Sequence, residues 1–172
     1  MEFSTLIAQR YSVRKFTTQP VDPSDLTAIL EAARLAPTAV NKQPARILVL
    51  EQAESLAKLK SCTPYTFDAP LALIVCYDET AAWVRSFDEH NSGAIDAAIV
   101  GCHIMLKVHD MGLGSTWVGH FDPVKLSAEF GLPKSIIPVA IFPIGHPAED
   151  ARPAPPHSKR NPLSASVFYE HF

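Results

Sequence analysis

The chain has 172 residues, of which 47% are hydrophobic and 19% charged, a composition typical of a folded globular protein and not of a disordered one. Its 15 Lys and Arg side chains against 18 Asp and Glu give a formal net charge of −3, which excludes the basic field that non-specific nucleic-acid binding requires. Its apolar runs are far shorter than the ~20 residues of a membrane helix, and its three widely spaced cysteines exclude a disulfide framework. These counts predict one cytoplasmic domain over residues 1–172 that binds neither nucleic acid nor membrane.

Predicted helices and strands alternate irregularly along the chain. The clearest helix start is at Asp22, whose carboxylate can cap a helix that begins at Pro23, and Pro37 ends that helix. Periodic apolar residues and short apolar runs predict the remaining elements. The predicted helices are 3–9, 23–36, 51–60, 93–111 and 123–131, and the predicted strands are 45–50, 71–77, 115–118 and 137–144. This order indicates an α+β fold in which helices flank a mixed central sheet.

The longest predicted helix, from Gly93 to Met111, is apolar nearly all round. Such a helix must be buried on both sides, either in the middle of the domain or at a subunit interface. Cys102 lies on its apolar stripe and is expected in the core. Six of the 15 prolines fall at positions 143–162, and we expect residues 147–172 to form an extended C-terminal arm.

The segment from Arg10 to Phe16 is the first candidate binding site. Arg10, Ser12 and Arg14 are spaced by two, so their side chains point the same way if the segment is extended. Two guanidinium groups and a hydroxyl that converge on one point form a good phosphate site. A solvated basic turn is the alternative interpretation.

Two further segments offer groups suited to a planar ligand. Between Ala36 and Pro44, the amides of Asn41 and Gln43 can read the polar edge of a heterocycle, although ordinary turn chemistry is the alternative. Gly119 is expected at a strand end, where the lack of a side chain allows a flat ligand close to the main chain.

No motif for an acid, a base or a nucleophile is present. The histidines lack metal-ligand spacing, and neither a nucleophile elbow nor a carboxylate pair occurs, so we predict no catalytic side chain and no metal site. A phosphate-like site without such groups is typical of a protein whose cofactor brings its own chemistry.

Four motifs taken together resemble the nitroreductase family over nearly the whole chain. They are Arg10-x-Ser12-Val13-Arg14-x-Phe16, Pro37-Thr38-x-x-Asn41-x-Gln43-Pro44, Gly112-Leu113-Gly114-Ser115-x-Trp117-x-Gly119-x-Phe121 and Ile144-Gly145-His146-Pro147. Each motif alone is weak, but the four occur in the family's order and at similar spacing. The resemblance implies a nitroreductase-like fold, an intertwined homodimer with exchanged C-terminal arms, and one tightly bound FMN in each of two sites at the subunit interface.

The resemblance also implies roles for individual residues. Arg10, Ser12 and Arg14 would hold the FMN phosphate and ribityl chain, joined by Arg160 of the arm or, if the alignment shifts by one, by Lys159. The partner subunit's loop would lie against the flavin ring, and the main-chain N–H of residue 119 would lie near flavin N5. The implied cofactor-binding set is Arg10, Tyr11, Ser12, Arg14, Pro37, Thr38, Ala39, Asn41, Trp117, Gly119, His120 and Arg160.

The reaction that the resemblance implies is that of an FMN-dependent NAD(P)H oxidoreductase. NADH or NADPH would give hydride to the flavin and leave, and a nitroaromatic, a quinone or a similar small-molecule acceptor would then take the electrons in a ping-pong mechanism. The stretch 77–93 is too short for the helical insertion that covers the flavin in longer members, so we expect an open acceptor pocket. Two alternatives are a flavin-binding sensor or storage module without useful turnover, and a relative that uses reduced flavin for dehalogenation or flavin cleavage.

Overall fold

The computed structural model describes all residues from 1 to 172 and contains five α-helices, four strands and three short 3₁₀ turns. In chain order these are α1 (Phe3–Gln9), α2 (Pro23–Arg34), a 3₁₀ turn (Ala39–Asn41), β1 (Ala45–Leu50), α3 (Ala53–Cys62), β2 (Leu71–Asp78), α4 (Gly93–Asp110), β3 (Gly114–Ser115), α5 (Pro123–Phe130), β4 (Ile136–Gly145) and two 3₁₀ turns (Pro155–Ser158 and Leu163–Ala165). None of the helices combines the length and the apolar character that a membrane crossing requires.

The predicted helix boundaries are confirmed within about two residues where capping chemistry is strong. The Asp22 side chain accepts a hydrogen bond from the Ser24 N–H at the start of α2, and Asp122 does the same for Val124 and Lys125 at the start of α5. Gly131 ends α5 in the left-handed conformation, with φ +62°. The third predicted strand is much shorter than expected, because β3 has only two residues.

The sheet has the order β1-β2-β4-β3, and all its neighbouring strands are antiparallel. The prediction of a mixed sheet is therefore wrong for the chain itself, although the α+β class is confirmed. A helix between two strands is compatible with a parallel crossover, but α3 and α5 each return the chain to the sheet from the end at which it left. The one parallel pairing outside the strands is an isolated bridge between Ser12 and Ser115.

Strand β2 lies at the centre of the core and is buried on both faces. Leu71, Leu73 and Val75 point toward the layer of α2 and α4, whereas the alternate residues pack with α3 and α5 on the other face. A strand covered on both sides needs apolar residues at every position, which explains the unbroken apolar run in the sequence.

Helix α4 buries only one of its two apolar sides within the chain. Ala97, Val100, Ile104 and Val108 are buried against α2 and the sheet. The expectation that Cys102 is in the core is wrong, because its side chain is exposed, and Ile95 on the same side is 54% exposed. The second apolar side of the helix is thus only partly covered, with Ile99 and Met105 half-buried and Ile95 and Cys102 exposed.

The C-terminal arm has two parts with different surroundings. Its first part docks on the N-terminal segment, where the Ala148 N–H donates to the Lys15 carbonyl oxygen at 3.1 Å and Lys15 forms an ion pair with Asp150. From residue 158 to the C-terminus every side chain is exposed, including the apolar ones of Phe168 and Phe172. The last part of the arm therefore has no buried residue, and its one aromatic pair, Phe168 with Phe172 at 5.1 Å between the ring centroids, lies within the arm itself.

Candidate functional site

The segment from Arg10 to Phe16 lies extended beside β3. The Val13 N–H donates to the Ser115 carbonyl oxygen at 3.0 Å, and the Val13 side chain is only 2% exposed. Gly114 is required at this contact, because a Cβ there would lie 2.7 Å from Val13 Cγ2. This anchoring brings the cationic segment against the strand that leads to Gly119.

Two of the three cations in this segment have no partner of opposite charge. No carboxylate lies within 4.0 Å of the guanidinium groups of Arg10 and Arg14. Arg14 donates only to the Ser12 carbonyl oxygen, at 3.2 Å, whereas Lys15 is paired with Asp150. Two unpaired guanidinium groups on one short segment are well suited to bind an anion.

His109 lies beside this cationic segment and was not singled out from the sequence. Burial and, to a lesser extent, the positive charge of Arg10 lower the pKa of His109 below its ordinary value, with a small opposing effect of Asp110. Its Nε2 atom is buried without a hydrogen-bond partner. Protonation of the His109 imidazole is therefore disfavoured beside Arg10.

Arg14 shares an open cleft of about 200 Å³ with the stretch from residue 116 to residue 120. Two aromatic residues that sequence reasoning missed, Tyr65 and Phe67, also line it. The Tyr65 ring meets the His120 ring edge to face, with 5.6 Å between the centroids. The Thr63 hydroxyl donates to the His120 carbonyl oxygen at 2.7 Å and so ties the two aromatic residues to the cleft. In the sequence, the only signal that Tyr65 and Phe67 line the cleft is their position just after α3.

Trp117 is held in a fixed position on the wall of this cleft. Its ring packs edge to face on Phe142, with 5.1 Å between the centroids, and remains 38% exposed. Gly101 of α4 makes room for it, because a Cβ at that position would lie 2.7 Å from Trp117 Cζ3. The indole can therefore present a rigid edge to a ligand.

Gly119 leaves a stretch of main chain open at the centre of the cleft. A Cβ at this position would meet nothing closer than Trp117 Nε1 at 3.8 Å, and φ of Gly119 is not positive. Its N–H donates to no acceptor in the chain. Neither packing nor backbone conformation requires glycine here, so the open space is suited to a flat ligand that accepts a hydrogen bond.

The structure keeps the loop from Pro37 to Gln43 away from this cleft. Thr38 and Gln43 line a different groove of about 350 Å³ between α2 and β1, and the Pro37 and Asn41 side chains are exposed. Within one chain, the loop residues of the predicted set are therefore separate from the cationic and glycine residues.

Arg160 lies on the exposed part of the arm and is also free of carboxylates. It donates only to main-chain oxygens, those of His157 and Lys159. The rings of Tyr11 and His157 approach edge to face at 6.2 Å, so the arm reaches the cationic segment three residues before Arg160.

Comparison with known proteins gives consistent results over nearly the whole chain. The model of the nitroreductase family matches residues 7–63 and 60–146. A solved nitroreductase family protein of Clostridium difficile is 38% identical, with full coverage of both chains and a TM-score of 0.94. A Methanothermobacter thermautotrophicus protein, provisionally named NADH dehydrogenase/NAD(P)H nitroreductase, is 32% identical over 87% of this chain and 80% of its own. The FMN reductase [NAD(P)H] of Bacillus subtilis is 28% identical over 84% of this chain and 65% of its own.

The family match covers both the cationic segment and the stretch around Gly119, the two segments that the structure joins in the cleft. The chain belongs to the nitroreductase family.

Proposed function

We propose that this protein is an FMN-dependent NAD(P)H oxidoreductase whose flavin lies in the cleft of Arg14 and Gly119. The observation that carries the proposal is the combination of two unpaired guanidinium groups with an unpaired, uncovered N–H at Gly119. A phosphate at one end and a flat heterocycle at the other match these two features. The names of two relatives, an FMN reductase [NAD(P)H] and a protein provisionally named NAD(P)H nitroreductase, support the same chemistry.

The phosphate end of the site would be formed by Arg10, Ser12, Arg14 and Arg160. The first three lie on the extended segment, and Arg160 follows the Tyr11–His157 contact by three residues. Each guanidinium group can donate two parallel hydrogen bonds to phosphate oxygens, which a lysine cannot do. Lys159 would therefore be the weaker of the two candidates on the arm.

The ring end of the site would be formed by Trp117, Gly119 and His120. FMN, when bound, would supply the hydride-accepting and electron-donating chemistry, so no side chain of the protein has to act as an acid, base or nucleophile. The Gly119 N–H would donate a hydrogen bond to the heterocycle, and the rigid Trp117 edge would limit its movement. These residues bind and orient the ring.

We further propose that a small planar acceptor, such as a nitroaromatic or a quinone, binds where the cleft opens to solvent. Tyr65 and Phe67 give this opening an aromatic wall, with 6.0 Å between their ring centroids. Aromatic walls favour planar, apolar acceptors through stacking and edge-to-face contacts. NAD(P)H and the acceptor would use this opening in turn, as a ping-pong mechanism requires.

The same proposal includes an intertwined homodimer. Each subunit is a single domain of residues 1–172, and the two subunits exchange their C-terminal arms, residues 147–172. Three uncovered features support it. The outer side of α4 carries exposed apolar residues, β1 pairs with β2 only and has one free edge, and every residue at the end of the arm is exposed. An exchanged arm covers such surfaces at low cost. The loop with Thr38 and Asn41 would then reach the partner's flavin.

The decisive experiment is the absorption spectrum of the purified protein, followed by anaerobic addition of NADH or NADPH. We expect a flavin spectrum that bleaches with one or both nucleotides and recovers when a quinone or nitroaromatic is added. A colourless protein that takes up no FMN would refute the proposal. Bound flavin that neither nucleotide reduces would indicate the sensor or storage module, and bleaching without recovery on any acceptor would indicate other reduced-flavin chemistry.

A further inference from the structure

The loop from Thr38 to Gln43 holds an unusual main-chain conformation. Val40, Asn41 and Gln43 all have positive φ, at +42°, +56° and +51°. The left-handed region is unfavourable for residues with a Cβ, and most of all for a β-branched residue such as Val40. Non-glycine residues stay in this region only where the surrounding structure fixes them, and such residues cluster at functional sites.

Hydrogen bonds inside the loop give it shape but do not fix it to the domain. The Gln43 N–H donates to the Thr38 hydroxyl oxygen at 3.0 Å, and the Gln43 side-chain amide donates to Asn41 Oδ1 at 3.2 Å. Arg46 donates to the Gln43 carbonyl oxygen at 3.1 Å, but this contact lies at the end of the loop and is exposed.

The bond that fixes the front of the loop comes from Asp96 on α4. The Ala39 N–H donates to Asp96 Oδ1 at 2.8 Å, across 57 residues of sequence. The other carboxylate oxygen accepts from the Ser92 hydroxyl at 2.9 Å. Asp96 is only 2% exposed and Ser92 only 5%, so this bond pair is shielded from water. A shielded, charge-assisted hydrogen bond holds its partner more rigidly than an exposed one.

A role in helix stability alone does not account for a buried aspartate here. Asp96 lies in the first turn of α4, where a negative charge is favourable, but an exposed side chain would serve that purpose without desolvation. The carboxylate does not cap the helix, because its hydrogen-bond donors are the Ser92 hydroxyl and the Ala39 N–H of the loop. Burial of this charge is thus explained by its contact with Ala39.

We propose that Asp96 is a positioning residue for the flavin site. Its carboxylate fixes the main chain at Ala39, and this holds Thr38, Ala39 and Asn41 in the conformation in which they meet the partner's flavin. The inference rests on the proposed function and adds a residue that touches neither FMN nor substrate.

The test compares Asp96→Ala with Asp96→Asn in the full-length protein as purified. The side-chain amide in Asp96→Asn can still accept from the Ala39 N–H with its oxygen and can donate to the Ser92 hydroxyl, so this is the rescue variant. Asp25→Ala is the matched control, because it removes a first-turn acid from α2 without touching the loop. We expect Asp96→Ala to weaken FMN binding at least fivefold and to change the visible circular dichroism of the bound flavin, with wild-type behaviour in the other two variants.

A second variant removes the same hydrogen bond from the other side. Proline fits position 39, because Thr38 is extended and Ala39 begins a 3₁₀ turn, and Ala39→Pro deletes the donor N–H. We expect a similar loss of FMN affinity, and we expect the double variant with Asp96→Ala to be no worse than either single one. If Asp96→Ala does not fold, Ala39→Pro alone keeps the inference falsifiable, because wild-type FMN affinity in that variant would show that the bond is not needed.

Wild-type FMN affinity and an unchanged flavin spectrum in Asp96→Ala or Ala39→Pro would overturn the inference, whatever their melting temperatures. Hydrogen exchange at the Ala39 amide distinguishes failure of the Asp96 inference from failure of the proposed FMN-dependent function. If the wild type binds no FMN, the proposed function fails, whereas exchange at least tenfold faster in Asp96→Ala than in Asp96→Asn would still show that Asp96 fixes the loop. Equal exchange in the two variants would exclude that as well.

Discussion

The two parts of the proposed flavin site are built in opposite ways. The cation half, residues 10–16 and 114–120, is joined within one chain by a main-chain hydrogen bond and by the contact of Val13 with Gly114. The loop half, residues 37–43, is a strained loop held on α4 by Asp96, and its Thr38 and Gln43 line a groove separate from the cleft of the cation half. In the proposed site, one chain would supply the phosphate and main-chain contacts, and the loop half would contact the same ligand from the second chain of the proposed homodimer.

The largest effect is expected for a truncated chain that cannot exchange its C-terminal arm. If the chain ends after Ser158, the docked first part of the arm remains, but Arg160 and the exposed apolar residues are lost. We expect a monomer without flavin, because dimerisation and cofactor binding would be linked if both subunits form the proposed site. Sedimentation and flavin absorbance measure the two losses.

Thiol labelling gives a second readout of the same truncation. Cys102 should become reactive toward a thiol reagent when the dimer is lost. Cys76 should stay inert, because burial raises the pKa of its thiol to about 11.

A single substitution provides the control for this truncation. Arg160→Ala in the full-length chain should lower FMN affinity but leave the dimer intact, because the apolar end of the arm is still present. A wild-type protein that sediments as an 18.8 kDa monomer with FMN fully bound would contradict both the exchange of arms and the two-chain site.

The sequence was sufficient to predict the elements whose signals are local. Capping residues predicted α2 and α5, and an unbroken apolar run predicted β2. The direction of strand pairing was predicted wrongly, because a helix between two strands is compatible with a parallel crossover or with a return from the same end. Nothing local in the sequence distinguishes the two.

The sequence predicted only those residues of the candidate site that belong to one of its motifs. The cation half consists of residues that are close in sequence or joined by one strand contact, so period-two spacing and glycine positions indicated most of it. Tyr65 and Asp96 lie outside the motifs, and their roles depend on contacts across 55 or more residues, with His120 and Ala39 respectively. Such contacts follow from packing and leave no periodic signal.

The next largest effect concerns the guanidinium groups of the cation half. Charge-assisted hydrogen bonds contribute roughly 1.5–3 kcal/mol each, so Arg14→Ala should weaken FMN binding about tenfold or more. Lys15→Ala is the matched control, because Lys15 carries the same charge on the same segment but is paired with Asp150. Titration of FMN by fluorescence quenching measures both. Equal affinities in the two variants would remove Arg14 from the site.

A smaller effect is expected at the open main chain. Gly119→Ala adds a Cβ that meets nothing within 3.8 Å in the chain, so its melting temperature without flavin should equal that of the wild type. The added methyl would occupy the space of the flat ligand, and a loss of about 1 kcal/mol would lower FMN affinity about fivefold. Unchanged affinity in this variant would show that the ring lies elsewhere.

His120 tests whether the protein itself takes part in proton transfer. It lines the cleft beside Tyr65 and is the ionisable side chain next to Gly119. If FMN supplies the chemistry, His120→Gln should change turnover by less than about tenfold, well below the roughly 10²–10⁴-fold loss expected for a missing general acid or base. Steady-state turnover with a quinone, at full flavin occupancy, is the measurement. A loss above a thousandfold would identify an acid or base that the proposal lacks.

The smallest effect is a pH dependence caused by His109, which lies on α4 beside Arg10 of the cation half. Burial and the charge of Arg10 lower the pKa of His109 in the folded state, so below the ordinary value of 6.5 the unfolded chain takes up this proton first. The free energy of unfolding should therefore fall as the pH decreases through that value, and His109→Gln should flatten the dependence. Denaturant unfolding at several pH values between about 5 and 7.5 measures it.

Bound FMN allows a sharper test of the same pH dependence, because a phosphate at Arg10 would offset part of the Arg10 charge and raise the pKa of His109 again. The loss of stability on acidification should then be smaller in the loaded protein than in the flavin-free protein, after correction for any pH dependence of FMN binding measured in His109→Gln. An identical dependence in the two states would place the phosphate away from Arg10, even if Arg14 binds it.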